Sequence, residues 1–288
     1  MKLLSVIFSM LLLQSSLLAT VESKLLEAIP AECNIVIGVE LGKVMALPMV
    51  KGMLAMSPPK AGAFDPKQIK SMVIGLQAED EAALADFQVK PQLFIALETV
   101  KALTMKEIFR IVDPKGAELE KKTYLNKEYF SGMAKDGQVV CIHQISSSKF
   151  IVATQALMEK GIMVQAGKGL AISSNKLMAK LLKSDGNLIY AGGFMKKSLE
   201  YKGFSLGASY SKGLNLKTRI YCKKAETATM HAAKINAMLP FLMASPQLGL
   251  KADSFKIAAK KSTLYANAFV PEAALMQIPK MVMSMMQK

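Results

Sequence analysis

Ser173-Ser174-Asn175-Lys176 matches S-x-x-K, a spacing that sets a serine hydroxyl one helical turn from a lysine amine. In a serine hydrolase Ser173 would be the nucleophile and Lys176 its base, with Ser184-Asp185-Gly186 standing in for a second motif. The same pattern recurs at Ser57/Lys60, Ser146/Lys149 and Ser209/Lys212, and no K-T-G follows. A motif counts only in its structural context. The plainer expectation is that Ser173 or Ser174 is a helix N-cap. His143 shares a strand face with Cys141, which gives two metal ligands where a closed site needs more. The expectation is a half-buried histidine with a hydrogen bond, and no metal or cofactor. His231 falls beside a helix stripe and is expected to be solvated. The chain carries no phosphate loop, no G-x-G-x-x-G, no C-x-x-C, no H-E-x-x-H and no G-x-S-x-G.

The unusual abundance is methionine, 21 residues. Met45, Met49, Met53 and Met56 line one face of the first expected helix, and Met276, Met281, Met283, Met285 and Met286 crowd the last. A stripe at helical spacing normally faces the core. Flexible thioether side chains also suit an adaptable groove for an apolar ligand. Copper binding is disfavoured, because these residues are not gathered in a short tract with histidine.

The elements that would position such groups are clearest from Phe204 to Met286. Phe204, Leu206, Ala208 and Tyr210 alternate with polar or small residues. After Lys212-Gly213, Leu214, Leu216, Thr218, Ile220 and Cys222 alternate with Asn215, Lys217, Arg219, Tyr221 and Lys223. Period two marks strands with one face buried, and the short link marks a hairpin. Ala228, Ala232, Ile235, Leu239 and Leu242 then form a helical stripe that Pro240 is expected to kink or end. Two further strands, from Ser254 to Lys260 and from Thr263 to Val270, precede a closing helix opened by Pro271.

Earlier in the chain the pattern predicts a buried strand over Asn34 to Val39 and a helix from Leu41 to Met56. Strands follow at Ser71 to Gln77 and Gln92 to Glu98. Thr104 and Glu107 form a capping box for a short helix. Further strands are expected at Leu119 to Leu125, Val139 to Ile145 and Lys149 to Thr154, then helices from Ala156 to Gln165 and from Ser173 or Ser174 to Leu182. Asn187 to Gly193 echoes the opening strand. The fold class is therefore α+β: two related halves, 24–184 and 185–288, of antiparallel sheets built from hairpins with helices packed on one face.

Residues 1–23 read as a secretory signal, with Lys2 ahead of an apolar core from Leu3 to Leu13. No other run is long enough to span a bilayer. An exported protein, periplasmic or extracellular, is expected. Cys33, Cys141 and Cys222 make no disulfide framework; buried small hydrophobes are expected, with one bridge, Cys141 to Cys222, as the alternative. The net charge of +15 rests on lysine, with Arg110 and Arg219 the only arginines. Base readout and bidentate phosphate binding favour arginine, so nucleic acid is not an expected partner, whereas an anionic envelope surface remains open.

The segment Ile29-Pro30-Ala31-Glu32-Cys33-Asn34-Ile35-Val36-Ile37-Gly38-Val39-Glu40-Leu41, followed by a helix and strand pairs, resembles a broad class of exported bacterial proteins. These proteins open with a proline, a short polar step and a strand ending in an acidic residue and leucine. The resemblance covers element order and implies no activity. The functional expectation is a non-enzymatic binding or structural protein of the cell envelope or exterior. The alternative is a carrier of an apolar, lipid-like ligand on the Met45, Met49, Met53 and Met56 face. A serine hydrolase using Ser173 and Lys176 is the remote alternative.

Overall fold

The computed structural model describes residues 23–56, 65–77, 92–112, 118–134, 137–182, 187–195, 198–243 and 254–277. In chain order these form α1 (Ser23–Leu26), β1 (Ile35–Val39), α2 (Leu41–Val44), α3 (Pro48–Met56), β2 (Ile69–Gln77), β3 (Gln92–Thr99) and α4 (Met105–Val112). Next come β4 (Glu120–Tyr124), β5 (Lys127–Met133), β6 (Val139–Ser146), β7 (Lys149–Thr154), α5 (Gln155–Gln165), α6 (Lys176–Leu181) and β8 (Ile189–Phe194). The chain continues through β9 (Tyr201–Tyr210), β10 (Gly213–Cys222), α7 (Ala225–Met243), β11 (Phe255–Lys260), β12 (Thr263–Pro271) and α8 (Glu272–Leu275). The expected signal at 1–23 and the boundary at Ser184-Asp185-Gly186 lie essentially outside the described residues.

All the described strands join one antiparallel sheet, 12 strands in the order β11-β12-β10-β9-β8-β1-β2-β3-β7-β6-β5-β4. Next to its centre lie β1 and β8, the two strands whose sequences echo one another, paired in register from Ile35 opposite Gly193 to Val39 opposite Ile189. The Asn34 side-chain amide reinforces that pair by donating to the Phe194 carbonyl at 3.0 Å.

Helices cover both faces of this sheet, which corrects the expectation of a single covered face. Register places Val36, Val73, Phe94, Ala96, Ile151 and Tyr190 on one face, where α1, α5 and α6 pack through Leu25, Leu157, Ile162 and Leu181. On the opposite face Ile35, Ile74, Ile95 and Val152 meet Ile108 and Phe109 of α4. Val39, Ile189 and Leu214 there meet α2, α3 and α8 through Val44, Val50 and Leu275. The cause lies in the strand sequences. β1, β2, β3 and β7 have near-continuous apolar runs, so each face needs a cover, whereas β11 alternates and buries one side.

Several local expectations are refined. The first helix is two pieces, α2 and α3, with Pro48 opening the second, as suits a residue without a donor at the first helical position. β5 is a strand that the sequence pattern does not mark separately. It pairs with β4 across Leu125 and Asn126, both at positive φ of 48° and 59°. Thr104 and Glu107 do form the capping box: the carboxylate accepts from the Thr104 N–H at 2.7 Å, and the threonine hydroxyl from the Glu107 N–H at 3.3 Å. α7 runs through Pro240 to Met243, about one turn beyond it, with Ala228 and Ala232 buried on its inner stripe. Among the described residues no helix is long and apolar enough to cross a membrane.

Candidate functional site

β9 and β10 place Phe204 opposite Ile220, and Leu206 opposite Thr218, on the face that carries α7. At the end of this pair the register shifts, so that Cys222 lies opposite Tyr201. The bulge aims the Tyr201 ring along the same face as Phe204 and Ile220. Ser198 fixes the approach to β9, its hydroxyl accepting from the N–H groups of Glu200 (3.3 Å) and Tyr201 (2.9 Å). Helices cover the two ends of this face: α2, α3 and α8 over Leu214 and Ala208, and α7 over β11 and β12. Between them is an open apolar groove of about 230 Å³ lined by Met195, Tyr201, Gly203, Phe204 and Ile220.

One polar cluster borders the groove. The Tyr201 hydroxyl lies 3.0 Å from Nε2 of His231, and the same nitrogen is 3.2 Å from Oε2 of Glu200. The two rings are tilted by 36° at a centroid distance of 5.7 Å. His231 is thus held between β9 and its own helix, against the expectation of a solvated side chain. Nε2 accepts from the Tyr201 hydroxyl when the ring proton is on Nδ1, and donates to Glu200 when Nε2 itself carries a proton.

The residues singled out from the sequence lie elsewhere. Ser173 is exposed in a 3-10 turn and Lys176 is exposed at the start of α6. The N-cap of α6 is Asn175, whose Oδ1 accepts from the N–H groups of Leu177 (3.0 Å) and Met178 (3.3 Å). That displaces Ser173 and Ser174 from the cap, and the Ser174 hydroxyl instead donates to the Ala171 carbonyl at 2.6 Å. His143 is buried, with Nδ1–H donating to the Glu128 carbonyl at 2.7 Å. Among the described residues no three His, Cys, Asp or Glu side chains are grouped to hold a metal ion.

Met45 and Met49 are buried in the core beneath α2 and α3, and do not line the groove. These two face inward because the sheet beneath them is apolar there. The side chains of Met53 and Met56 lie outside the described set, as do Met281, Met283, Met285 and Met286. The three cysteines are free and buried. Burial pushes the Cys33 thiol up to about 12 and the Cys141 thiol up to about 11, and raises that of Cys222.

Sequence reasoning missed the groove but not its strands. Phe204 and Ile220 belong to alternating faces that are legible in the chain. That the helices leave a gap above them is a matter of packing.

No family model matches the chain, and no curated protein matches it. A solved structure described as crystal form I of TP0453 aligns with a TM-score of 0.48 over 92% of this chain and 98% of its own, at 9% sequence identity. At that level of likeness neither kinship nor activity follows.

Proposed function

We propose that this is a non-enzymatic binding protein of the cell envelope or exterior that holds a short apolar chain in the groove on β9 and β10. The observation that carries this reading is the groove itself: open, almost wholly apolar and about 230 Å³. It falls below the roughly 300–1,000 Å³ of pockets for drug-sized ligands, so a short acyl chain or one apolar side chain of a partner fits better than a whole lipid. Tyr201, His231 and Glu200 at the rim supply a polar end for an amphiphile. Neither Ser173 nor Lys176 faces this groove, so it is not part of a serine hydrolase centre built on them.

Two related halves supply a rationale for the scaffold. In each arm three strands run outward from the centre, a helix follows, and later strands return until the last pairs with the third: β7 with β3, and β12 with β10. The first arm has one more hairpin. On this reading the groove lies in the arm formed by the second half, 185–288.

The test is native mass spectrometry of the purified protein, alone and mixed with decanoic acid. A one-to-one adduct is expected, lost in Ile220→Asp, which sets a carboxylate in the groove. An adduct that survives Ile220→Asp, or no adduct with the wild type, sinks the reading.

A further inference from the structure

The opposite face of the same arm carries a second site of different chemistry. Register places four rows across β9, β10, β12 and β11 on this face. They are Gly203-Tyr221-Thr263-Lys260, Ser205-Arg219-Tyr265-Ala258 and Gly207-Lys217-Asn267-Lys256, with Ser209-Asn215-Phe269 along one end. α7 and α8 pack on the other face, and Lys217, Arg219, Lys256, Ala258, Lys260, Asn267 and Phe269 are exposed here. The grid holds four cations and no carboxylate. Strands are about 4.8 Å apart, so Lys217 and Lys256, two strands apart in one row, stand roughly 10 Å from each other, with Arg219 about 7 Å along β10. Between the charges lie amide and hydroxyl groups of Asn215, Asn267, Thr263 and Ser205, and the rings of Tyr221 and Tyr265.

We infer that this face docks an acidic polysaccharide. Charge complementarity requires an anionic partner, because a patch with no acidic side chain concentrates anions near it. Lysine, a hydrated point charge, suits isolated carboxylates, and with a single arginine the grid has little capacity for bidentate phosphate or base recognition. A bilayer is the poorer fit: lasting attachment needs buried apolar area, and Phe269 is the one large apolar side chain on the grid, 36% exposed. A hydroxyl-rich chain with regular carboxylates uses both the cations and the hydrogen-bonding groups between them. This face and the groove meet only at the backbone of Gly203, and the side chains that line the groove lie across the sheet.

The experiment measures binding to polygalacturonate at low ionic strength, with dextran as the neutral polymer and phosphatidylglycerol vesicles as the competing anionic surface. The face variant Lys217→Gln/Arg219→Gln/Lys256→Gln/Lys260→Gln is compared with Lys43→Gln/Lys51→Gln/Lys101→Gln/Arg110→Gln, which removes the same charge from exposed positions elsewhere. Circular dichroism checks that both sets are folded. The expected result is wild-type binding to polygalacturonate and not to dextran, at least tenfold weaker in the face variant and within threefold of wild type in the other. Equal weakening of the two sets reduces the effect to net charge and overturns the inference. It is also overturned if polygalacturonate does not bind, or if the vesicles bind through this face and the polymer does not.

Discussion

At the centre of the sheet the Tyr190 ring lies across Gly38 of the neighbouring strand. A Cβ built on Gly38 would overlap Cε1 and Cζ of Tyr190 and stand 2.7 Å from its Oη. The ring is 2% exposed and packed in the core, so it has no open space to swing into. Overpacking of this kind costs about 1–3 kcal/mol, offset by about 0.4–1 kcal/mol from the smaller entropy of an unfolded alanine. Gly38→Ala should therefore destabilise the protein by about 1–2 kcal/mol in urea unfolding. Tyr190→Val removes the ring at a cost of about 3 kcal/mol. In that background Gly38→Ala should change sign and stabilise by about 0.5 kcal/mol. The cycle then gives a coupling of about 2 kcal/mol, where independent sites add to within about 0.5 kcal/mol. Additivity would refute the reasoning, because the ring could not then be resting on Gly38.

Other outcomes follow from the same structure. Among the described residues the buried Tyr190 hydroxyl has no hydrogen-bond partner, so Tyr190→Phe should stabilise by about 1 kcal/mol, read as a higher urea midpoint; a loss of that size would reveal a partner. Hydrogen bonds from Thr104 hold the Glu107 carboxyl below its usual value of 4.5. This stability is present above the usual carboxylate range and is lost as pH falls through the lowered value. Thr104→Ala should cost about 1 kcal/mol near neutral pH and less in acid, measured by thermal melts across pH. The Cys33 and Cys141 thiols, raised from 9.0 to about 12 and about 11, remain neutral in the fold when the unfolded chain ionises them. Their contribution is therefore complete below about pH 9 and falls as pH rises towards 11 and 12, a decline that Cys33→Ala/Cys141→Ala should flatten. Below pH 8 iodoacetamide should label these thiols at the rate of unfolding, and rapid labelling of the native protein would contradict their burial.

Period and punctuation settled much in advance. The alternation along Phe204 to Tyr210 and Leu214 to Ile220, the stripe at Ala228, Ala232 and Ile235, and the capping box at Thr104 and Glu107 depend on residues near in sequence, where side-chain chemistry and backbone repeat suffice. β5 was harder to read because its turn, Leu125-Asn126, lacks the glycine that usually marks positive φ. The cap of α6 is not decided by sequence, since Ser173, Ser174 and Asn175 all have capping chemistry and only the local backbone chooses Asn175.

What tertiary structure decided was which surfaces meet. The pairing of β1 with β8, 154 positions apart at their first residues, closes one sheet from two stretches that resemble each other in sequence. Apolar runs on both sides of β1, β2 and β3 announced burial, but only the assembled helices show which element covers each face. Met45 and Met49 became core because sheet lies beneath them, and Phe204 and Ile220 line a groove that the described helices leave open. Alternation records that one side of a strand avoids water. It carries no information on whether another element fills the space above that side, because this depends on contacts between residues distant in the chain.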